Sequence, residues 1–441
     1  MLVMQNSTST TGMKKNVALT VSAQLVSFFV SAILNLILPK YVSEIDYSSW
    51  QTLLLYLGYV PIFHFGFLDG LMLRYSQYDY NTLNKPLVQS QFRLFLGAEV
   101  FFALTVFALS FGVENETYRW LVRFVSFGII TANLYAYASH LFQMTNRISK
   151  YVIFVMMMRL ILGVGIVAAL FFGANSFYDL CIVYFVSCVL TILWGASQNK
   201  ELFWGTGKLA EGTVAELKSN VSSGIMLLIA NLSSIFFVGG AKMVVQWHYD
   251  PLLFGRVAFS FNLVNLFLTF VTAASIAVFP SLKRIDTDHL PDFYVRVRRS
   301  MTPLLFVSLA LYFPGYYVLK LWLPNYADSL VYLGVLMPMI VYESRVTLLT
   351  NNYLKTYRKE RLMLLINLVS VSVAFALYLV SAYVLDSLFV LLACLVAVVI
   401  VRSVVSEIVV MRIINRRRYA PFAVELAFIV MFIFAVVKFN G

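Results

Sequence analysis

The sequence predicts an all-α membrane protein, a polytopic bundle of about twelve transmembrane helices with a possible thirteenth. Three observations predict this fold class. Of the 441 residues, 61% are hydrophobic and only 12% are charged, whereas soluble domains are about 45–50% apolar and about 25% charged. Apolar runs recur along the whole chain and reach the roughly 20 residues that cross a bilayer. Lysines and arginines concentrate on alternate connections between these runs.

Twelve apolar runs are long enough to span, and each is taken as one helix. The first, 16–39, follows a polar tail, 1–15, and is longer than the core of about 7–15 residues typical of a signal peptide. We therefore expect an uncleaved first span with a cytoplasmic N-terminus. The other runs are 47–73, 92–113, 120–144, 151–173, 177–197, 219–246, 254–279, 300–322, 327–354, 362–384 and 387–411. A thirteenth run, about 420–439, contains Pro421 and Glu425, so it either spans or lies along the bundle.

The distribution of basic residues supports this count. With the N-terminus inside, about 23 of the 33 lysines and arginines lie in inner connections and about six in outer ones, which is the positive-inside pattern. The net charge of +12 therefore does not indicate a nucleic-acid partner. No connection exceeds about 20 residues, too few for a domain outside the bilayer. The three cysteines fall in apolar runs, and no disulfide framework, metal-ligand spacing or cofactor motif is visible.

Twelve spans divide into two lobes of six, which predicts parallel repeats related by a pseudo-two-fold axis along the membrane normal. Span one opens with KNVALTVSAQ and span seven with SNVSSGIMLL, a weak sign of such a repeat. The predicted segments are an N-lobe (16–198), a cytoplasmic linker (199–218), a C-lobe (219–411) and a basic C-terminal segment (412–441).

Polar residues form stripes on three of the predicted spans. At 100° per residue they cluster on one side of each helix. Such stripes either line a water-filled cavity between repeats or join helices in a dry interface; the first interpretation makes them substrate-binding candidates. They are Gln24, Ser27, Ser31 and Asn35 in span one, Asn220, Asn231, Ser234 and Lys242 in span seven, and Asn262 and Asn265 in span eight.

Lys242 stands out because a lysine inside a span costs about 2.5–3.5 kcal/mol on insertion scales. Helical side chains lean toward the N-terminus, which here points Lys242 toward the bilayer middle. We expect it to face a cavity; snorkelling to the outer interface is the alternative. Gly239 and Gly240 just before it either bend the helix or allow close packing. Pro61 in span two is another hinge candidate.

The remaining charges within or at the ends of spans have two interpretations each. Arg345 is a second candidate for binding an anionic substrate, or it is paired across helices. Glu99 is a candidate proton carrier, or it pairs with Arg159. Candidates for ion coupling are Glu99, Glu343, Asp69, Arg74 and Arg159.

Several stretches resemble one transporter family. FGFLDGLMLRYSQ (65–77), LFQMTNRISKY (141–151), the long eighth span (254–284) and LPNYADSL (323–330) are similar to segments of the polysaccharide transporters, the Wzx-type O-antigen flippases, of the multidrug/oligosaccharidyl-lipid/polysaccharide exporter superfamily. The chain departs from that family at Ala241, where an acidic residue often precedes the basic one.

The resemblance implies a flippase of the bacterial inner membrane. Its substrate would be an undecaprenyl-pyrophosphate-linked oligosaccharide, with Lys242 and Arg345 as cations for the pyrophosphate. It implies alternating access and a place beside polymerase and glycosyltransferase machinery. Because no nucleotide-binding motif such as G-x-x-x-x-G-K-[ST] is present, we expect coupling to an ion gradient. We also expect no cofactor and a monomer among membrane lipids. Rival interpretations are a cation-coupled drug antiporter of the same superfamily and a membrane glycosyltransferase or polymerase.

Overall fold

The computed structural model describes residues 10–204, 209–282, 289–415 and 421–440, with side chains for 25–204, 209–269, 271, 289–303, 306–415 and 422–440. Within these residues the secondary structure is helical and contains no strand. This confirms the predicted fold class. A helix is the structure that satisfies all backbone hydrogen bonds within one apolar segment.

The first part of the chain folds into long helices and one broken span. The helices are α1 (Thr10–Tyr41), α2 (Glu44–Leu57), α3 (Phe67–Tyr75), α4 (Lys85–Leu109), α5 (Glu116–Met144), α6 (Ile148–Phe171), α7 (Phe177–Ser197) and the short α8 (Lys200–Phe203). Polar caps set several of these starts, because they satisfy backbone N–H groups that lack helical partners. Asn84 caps α4, Asn115 caps α5, and Ser176 forms a capping box with Asp179 at α7.

The second part also consists of long helices with shorter helical segments between them. It comprises α9 (Thr213–His248), α10 (Pro251–Leu282), α11 (Leu290–Ala310), α12 (Tyr312–Trp322), α13 (Leu330–Leu336), α14 (Pro338–Arg345), α15 (Asn351–Thr356), α16 (Glu360–Tyr383), α17 (Leu388–Ile413) and α18 (Pro421–Asn440). A π-helical turn, Val346–Thr350, joins α14 to α15. Within Pro324–Thr356, 83% of the residues in its apolar 18-residue window are buried, so this window lies at the centre of its part of the protein.

Eleven helices of the described chain are long and apolar enough to cross a membrane, or twelve if the bent α2–α3 pair is one span. The thirteenth apolar run passes this test as Phe422–Asn440. The protein is therefore a multi-pass membrane protein.

The chain groups into two compact units. The first takes the residues up to Ser31 together with Ser49–Leu232, and the second takes Ala32–Ser48 together with everything from Ser233 onward. The three boundaries pass through helices α1, α2 and α9, whereas the predicted lobes divide between spans. The core of the first unit includes Phe67, Phe92 and Tyr137; a cluster in the second includes Tyr294 and Tyr353.

Candidate functional site

Lys242 lies on the part of α9 that belongs to the second unit. Its Nζ is 3.5 Å from Asn262 Oδ1 on α10 and 5.2 Å from the ring centroid of Phe261. Asn262 also donates from Nδ2 to the Tyr47 hydroxyl at 3.5 Å. Lys242 is partly buried, and none of the ion pairs among the described residues includes it. The ammonium group of Lys242 thus has one long contact with an amide oxygen and one contact with a ring face. Its charge can still be neutralised by a bound anion.

The other stripe residues have mixed surroundings. Asn231 is exposed and donates from Nδ2 to Asp69 Oδ1 at 3.3 Å, which brings together two residues predicted for different roles. The remaining described stripe positions on α1, α9 and α10 are exposed or partly buried: Ser27, Ser31, Asn35, Ser234 and Asn265. Gln24 lies outside the described side chains. That these residues share one cavity stays a prediction.

Asn220 does not lie in open space. Its side chain is fully buried, accepts from Arg74 Nη1 at 3.1 Å and donates to Gln91 Oε1 at 2.6 Å. Arg74 also forms an ion pair with Glu216, with Nη2 2.9 Å from Oε1. Asn220 therefore holds α3, α4 and α9 together in the first unit, as the alternative of a dry interface predicted, and Arg74 has a structural partner.

Arg345 is 2% exposed and belongs to a buried network of four charges in the second unit. Its Nη1 lies 2.6 Å from Glu425 Oε2 and 3.9 Å from Glu407 Oε2, and its Nη2 donates to Thr302 Oγ1 at 3.2 Å. Arg298 completes the network through ion pairs with both glutamates. Arg345 is thus already neutralised, which favours the paired interpretation over the predicted contact with substrate.

The acidic coupling candidates also have partners. Glu343 on α14 forms an ion pair with Arg402 on α17, as the paired interpretation proposed. Glu99 does not pair with Arg159, which is exposed on α6, so the second of its two interpretations was wrong. Instead Glu99 Oε2 accepts from Asn133 Nδ2 at 2.7 Å, because α4 packs against α5.

The hinge candidates divide between bending and packing. Span two is broken: α2 ends at Leu57, and a single 3₁₀ turn, Val60–His64, contains Pro61, which cannot donate a helical hydrogen bond. The 61° bend lies after this turn, between Glu44–His64 and Phe67–Tyr75, at the left-handed residues Phe65 and Gly66. The bend is therefore in the predicted span but beyond Pro61, and a hinge at Pro61 itself stays a prediction. By contrast, α9 continues unbroken through Gly239 and Gly240.

Gly240 lies in a packed position. A Cβ there would lie 3.2 Å from the Phe236 ring of α9 itself and 3.4 Å from the Phe375 ring of α16. This contact favours close packing, one of the two interpretations of the glycine pair, and a bend in α9 stays a prediction.

A cavity of about 930 Å³ lies in the second unit, beside the four-charge network and away from Lys242. Its lining includes Arg298, Thr302, Phe306, Glu425 and Phe428, from α11 and α18. Lys242 is not among the lining residues. Helix α18 therefore forms part of the cavity wall. From the sequence, this segment either spans the membrane or lies along the bundle.

Sequence reasoning missed the partners Asn133, Gln91 and Glu425. A signal was present for Glu425: one carboxylate in an otherwise apolar helix requires a buried partner, and Arg345 was an unassigned cation. Asn133 and Gln91 gave no such signal, since single amides in apolar runs are common helix–helix contacts.

Three solved structures share this arrangement of helices. An inward-facing multidrug resistance MATE family transporter of the MOP superfamily matches with a TM-score of 0.66 and 13% identity, over 89% of this chain and 98% of that one. The outward-facing conformation matches at 0.58 and 13%, over 91% and 96%. The lipid II flippase MurJ, inward closed, matches at 0.61 and 12%, over 96% and 98%.

The protein has the MATE and MurJ fold. At this level of identity the likeness establishes the fold alone. No protein-family model matches the sequence, and no curated protein is similar to it. The likeness extends over nearly the whole chain.

Proposed function

We propose that the protein is a transporter of the MOP superfamily that flips an undecaprenyl-pyrophosphate-linked oligosaccharide across the bacterial inner membrane. The observation that carries the proposal is Lys242, a partly buried cation without a carboxylate partner among the described residues. A charge within a membrane span is costly and commonly marks a substrate or ion pathway. The fold supports the class, since one of the matching structures is described as a lipid II flippase.

The chemistry of the site fits a phosphorylated lipid. Lys242 supplies the charge for a pyrophosphate oxygen, while Asn262 and Tyr47 offer an amide and a hydroxyl close by for sugar hydroxyls. Asn231 and Ser234 extend the polar face along α9. The polyprenyl tail stays in the bilayer, so only the head group requires a polar environment.

Transport proceeds by alternating access, coupled to an ion gradient. In this proposal the N-lobe and C-lobe rock about a central site. The N-terminus is cytoplasmic, the substrate comes from glycosyltransferases on the inner face, and a polymerase consumes it on the outer face. The protein acts as a monomer without a cofactor.

The test uses cells that lack the chromosomal copy and carry a plasmid-borne variant. A charge-assisted hydrogen bond contributes about 1.5–3 kcal/mol, so Lys242→Gln should lower flipping by about tenfold or more. Lipid-linked oligosaccharide should accumulate in the inner leaflet, and surface polysaccharide should be lost. Lys242→Arg, which keeps the charge, should retain part of the activity.

Lys218→Gln is the matched control, because Lys218 is exposed near the start of the same helix; it should behave as wild type. Membrane fractions should contain equal amounts of all three variants. Normal surface polysaccharide with Lys242→Gln would refute the proposal.

A drug antiporter is the second candidate, favoured by the likeness to MATE transporters. Cationic drugs would be repelled by Lys242, and Glu343 is already paired with Arg402. Efflux of a cationic dye that requires Glu343 or Glu99 would favour this alternative. A glycosyltransferase would instead transfer sugar in vitro when purified, although the short connections leave little room for a catalytic loop.

A further inference from the structure

A carboxyl group is buried in the first unit without a cation. Glu99 on α4 and Asn133 on α5 are both 0% exposed. Asn133 Nδ2 donates to Glu99 Oε2 at 2.7 Å and to the Val60 carbonyl at 3.4 Å. Glu99 Oε1 and Asn133 Oδ1 have no hydrogen-bond partner within the described structure.

This arrangement does not suit a permanent negative charge. Burying an isolated carboxylate costs far more than burying a neutral polar group, and a single amide donor offsets only about 1.5–3 kcal/mol. Other buried glutamates in the described chain, Glu407 and Glu425, each have an arginine partner. Glu99 is therefore the buried carboxyl that needs a neutralising ligand.

We propose that Glu99 is the proton-binding site of this transporter, with Oε1 as the atom that takes the proton. A proton from water converts the carboxylate to a neutral carboxyl, and its release to water restores the charge. Oε2 keeps the hydrogen bond from Asn133 in both states. This assigns a coupling ion and a residue to the transport proposed above, but proton binding itself does not depend on the lipid-linked substrate.

The site is joined to the break in span two. Val60, whose carbonyl accepts from Asn133, begins the 3₁₀ turn at that break. A charged carboxylate forms a stronger bond with the amide than a neutral carboxyl does, so loss of the proton draws Asn133 away from Val60. Gly66 at the end of the break lies against the backbone of Gly224 on α9, so a change at the break reaches α9.

The elements packed against α4 at this site carry other titratable groups. Tyr59 and His64 lie at the broken segment, and Tyr137 and His140 lie on α5. Within the described residues the hydrogen bonds of Glu99 go to Asn133 alone, and none of the ion pairs includes Glu99. The charge on Glu99 is therefore neutralised by a proton and not by a neighbouring side chain.

The experiment is infrared difference spectroscopy of the purified protein between acidic and alkaline buffer, without substrate. Wild type should show the carbonyl band of one protonated carboxyl in a buried environment, and Glu99→Gln should lose that band. Asn133→Leu should keep the band at a higher frequency, because the carbonyl loses its donor. Glu114→Gln, at an exposed carboxyl, should leave the band unchanged.

Three results would overturn the inference: no such band in wild type, a band that persists in Glu99→Gln, or a band that sodium abolishes at constant pH. The last would reassign the site to a metal cation. Glu99→Asp keeps a carboxyl and should show a shifted band. It is the control for a loss of the band that is caused by misfolding of the glutamine variant. A normal proton band together with intact flipping in Lys242→Gln would refute the proposed function alone.

Discussion

At the scale of single residues, the four-charge network determines how α18 is held. Two arginines, Arg298 and Arg345, face two glutamates, Glu407 and Glu425, so the buried charges cancel. Such a network is a weak source of net stability, because desolvation offsets the attraction. Removing one member is costly, since it leaves a buried charge without compensation.

Glu425→Gln should therefore destabilise the protein by about 3–5 kcal/mol, the usual cost of breaking a buried ion pair. The measurement is thermal unfolding in detergent, where the variant should unfold at lower temperature. Glu114→Gln, on an exposed connection, should unfold at the same temperature as wild type. The double variant Arg345→Met with Glu425→Leu removes both charges and should recover much of the loss. Wild-type stability in Glu425→Gln would contradict this role.

The sequence could not predict which residues pair with each other. It did indicate that Lys242, Arg345 and Glu99 require polar surroundings, because a charge in an apolar helix is costly. It could not indicate which side chain contacts each of them. Glu425 lies 80 positions from Arg345, and nothing in local spacing joins them. Glu99 contacts an amide on α5 and not Arg159, the partner in one of its two interpretations, because the rotation of each helix about its axis decides which faces meet.

At the scale of elements, glycines set the contact between α3 and α9. A Cβ on Gly70 would lie 1.9 Å from the Asn220 carbonyl oxygen, and a Cβ on Gly224 would lie 2.0 Å from the Gly66 carbonyl oxygen. These helices therefore touch backbone to backbone. Small residues permit this close approach in membranes, where packing replaces the hydrophobic effect as the driving force.

Gly70→Ala should separate α3 from α9 and destabilise the protein by about 1–3 kcal/mol or more, the usual cost of overpacking. Gly97→Ala is the matched control, since a Cβ at Gly97 meets nothing within 4 Å. Alanine is a better helix former than glycine, so the control should unfold at or slightly above the wild-type temperature. Equal melting temperatures for Gly70→Ala and Gly97→Ala would show that the contact is not tight.

The elements themselves were largely predictable, because apolar length alone defines a membrane helix. The predicted span 177–197 coincides with α7 (Phe177–Ser197), and 387–411 differs from α17 (Leu388–Ile413) by one or two residues at each end. Span two was expected as one helix with a hinge candidate at Pro61, whereas its bend lies beyond that proline, at Phe65 and Gly66. The ninth span is longer than expected, since α11 begins at Leu290 in a basic, polar stretch.

At the scale of the whole molecule, helices α1, α2 and α9 each contribute to both compact units. Helices α1 and α9 are the first and seventh spans, which open the two predicted lobes and carry two of the three polar stripes. Lys242 lies in the portion of α9 that belongs to the second unit, and Asn220 in the portion that belongs to the first. The lobes and their parallel repeat stay predictions, but both depend on the membrane topology that the loop charges imply.

That topology is open to a direct test, because basic connections stay on the cytoplasmic side. After the three native cysteines are replaced, single cysteines can be placed at Gln77 or Arg361 on connections expected inside, and at Glu114 or Leu385 on connections expected outside. All four positions are exposed. A membrane-impermeant maleimide should label Glu114→Cys and Leu385→Cys in intact cells. Gln77→Cys and Arg361→Cys should react only after permeabilisation. The reverse pattern would invert the topology and place Lys242 toward the inner face. Mixed labelling within either pair would mean that the count of spans between them is wrong.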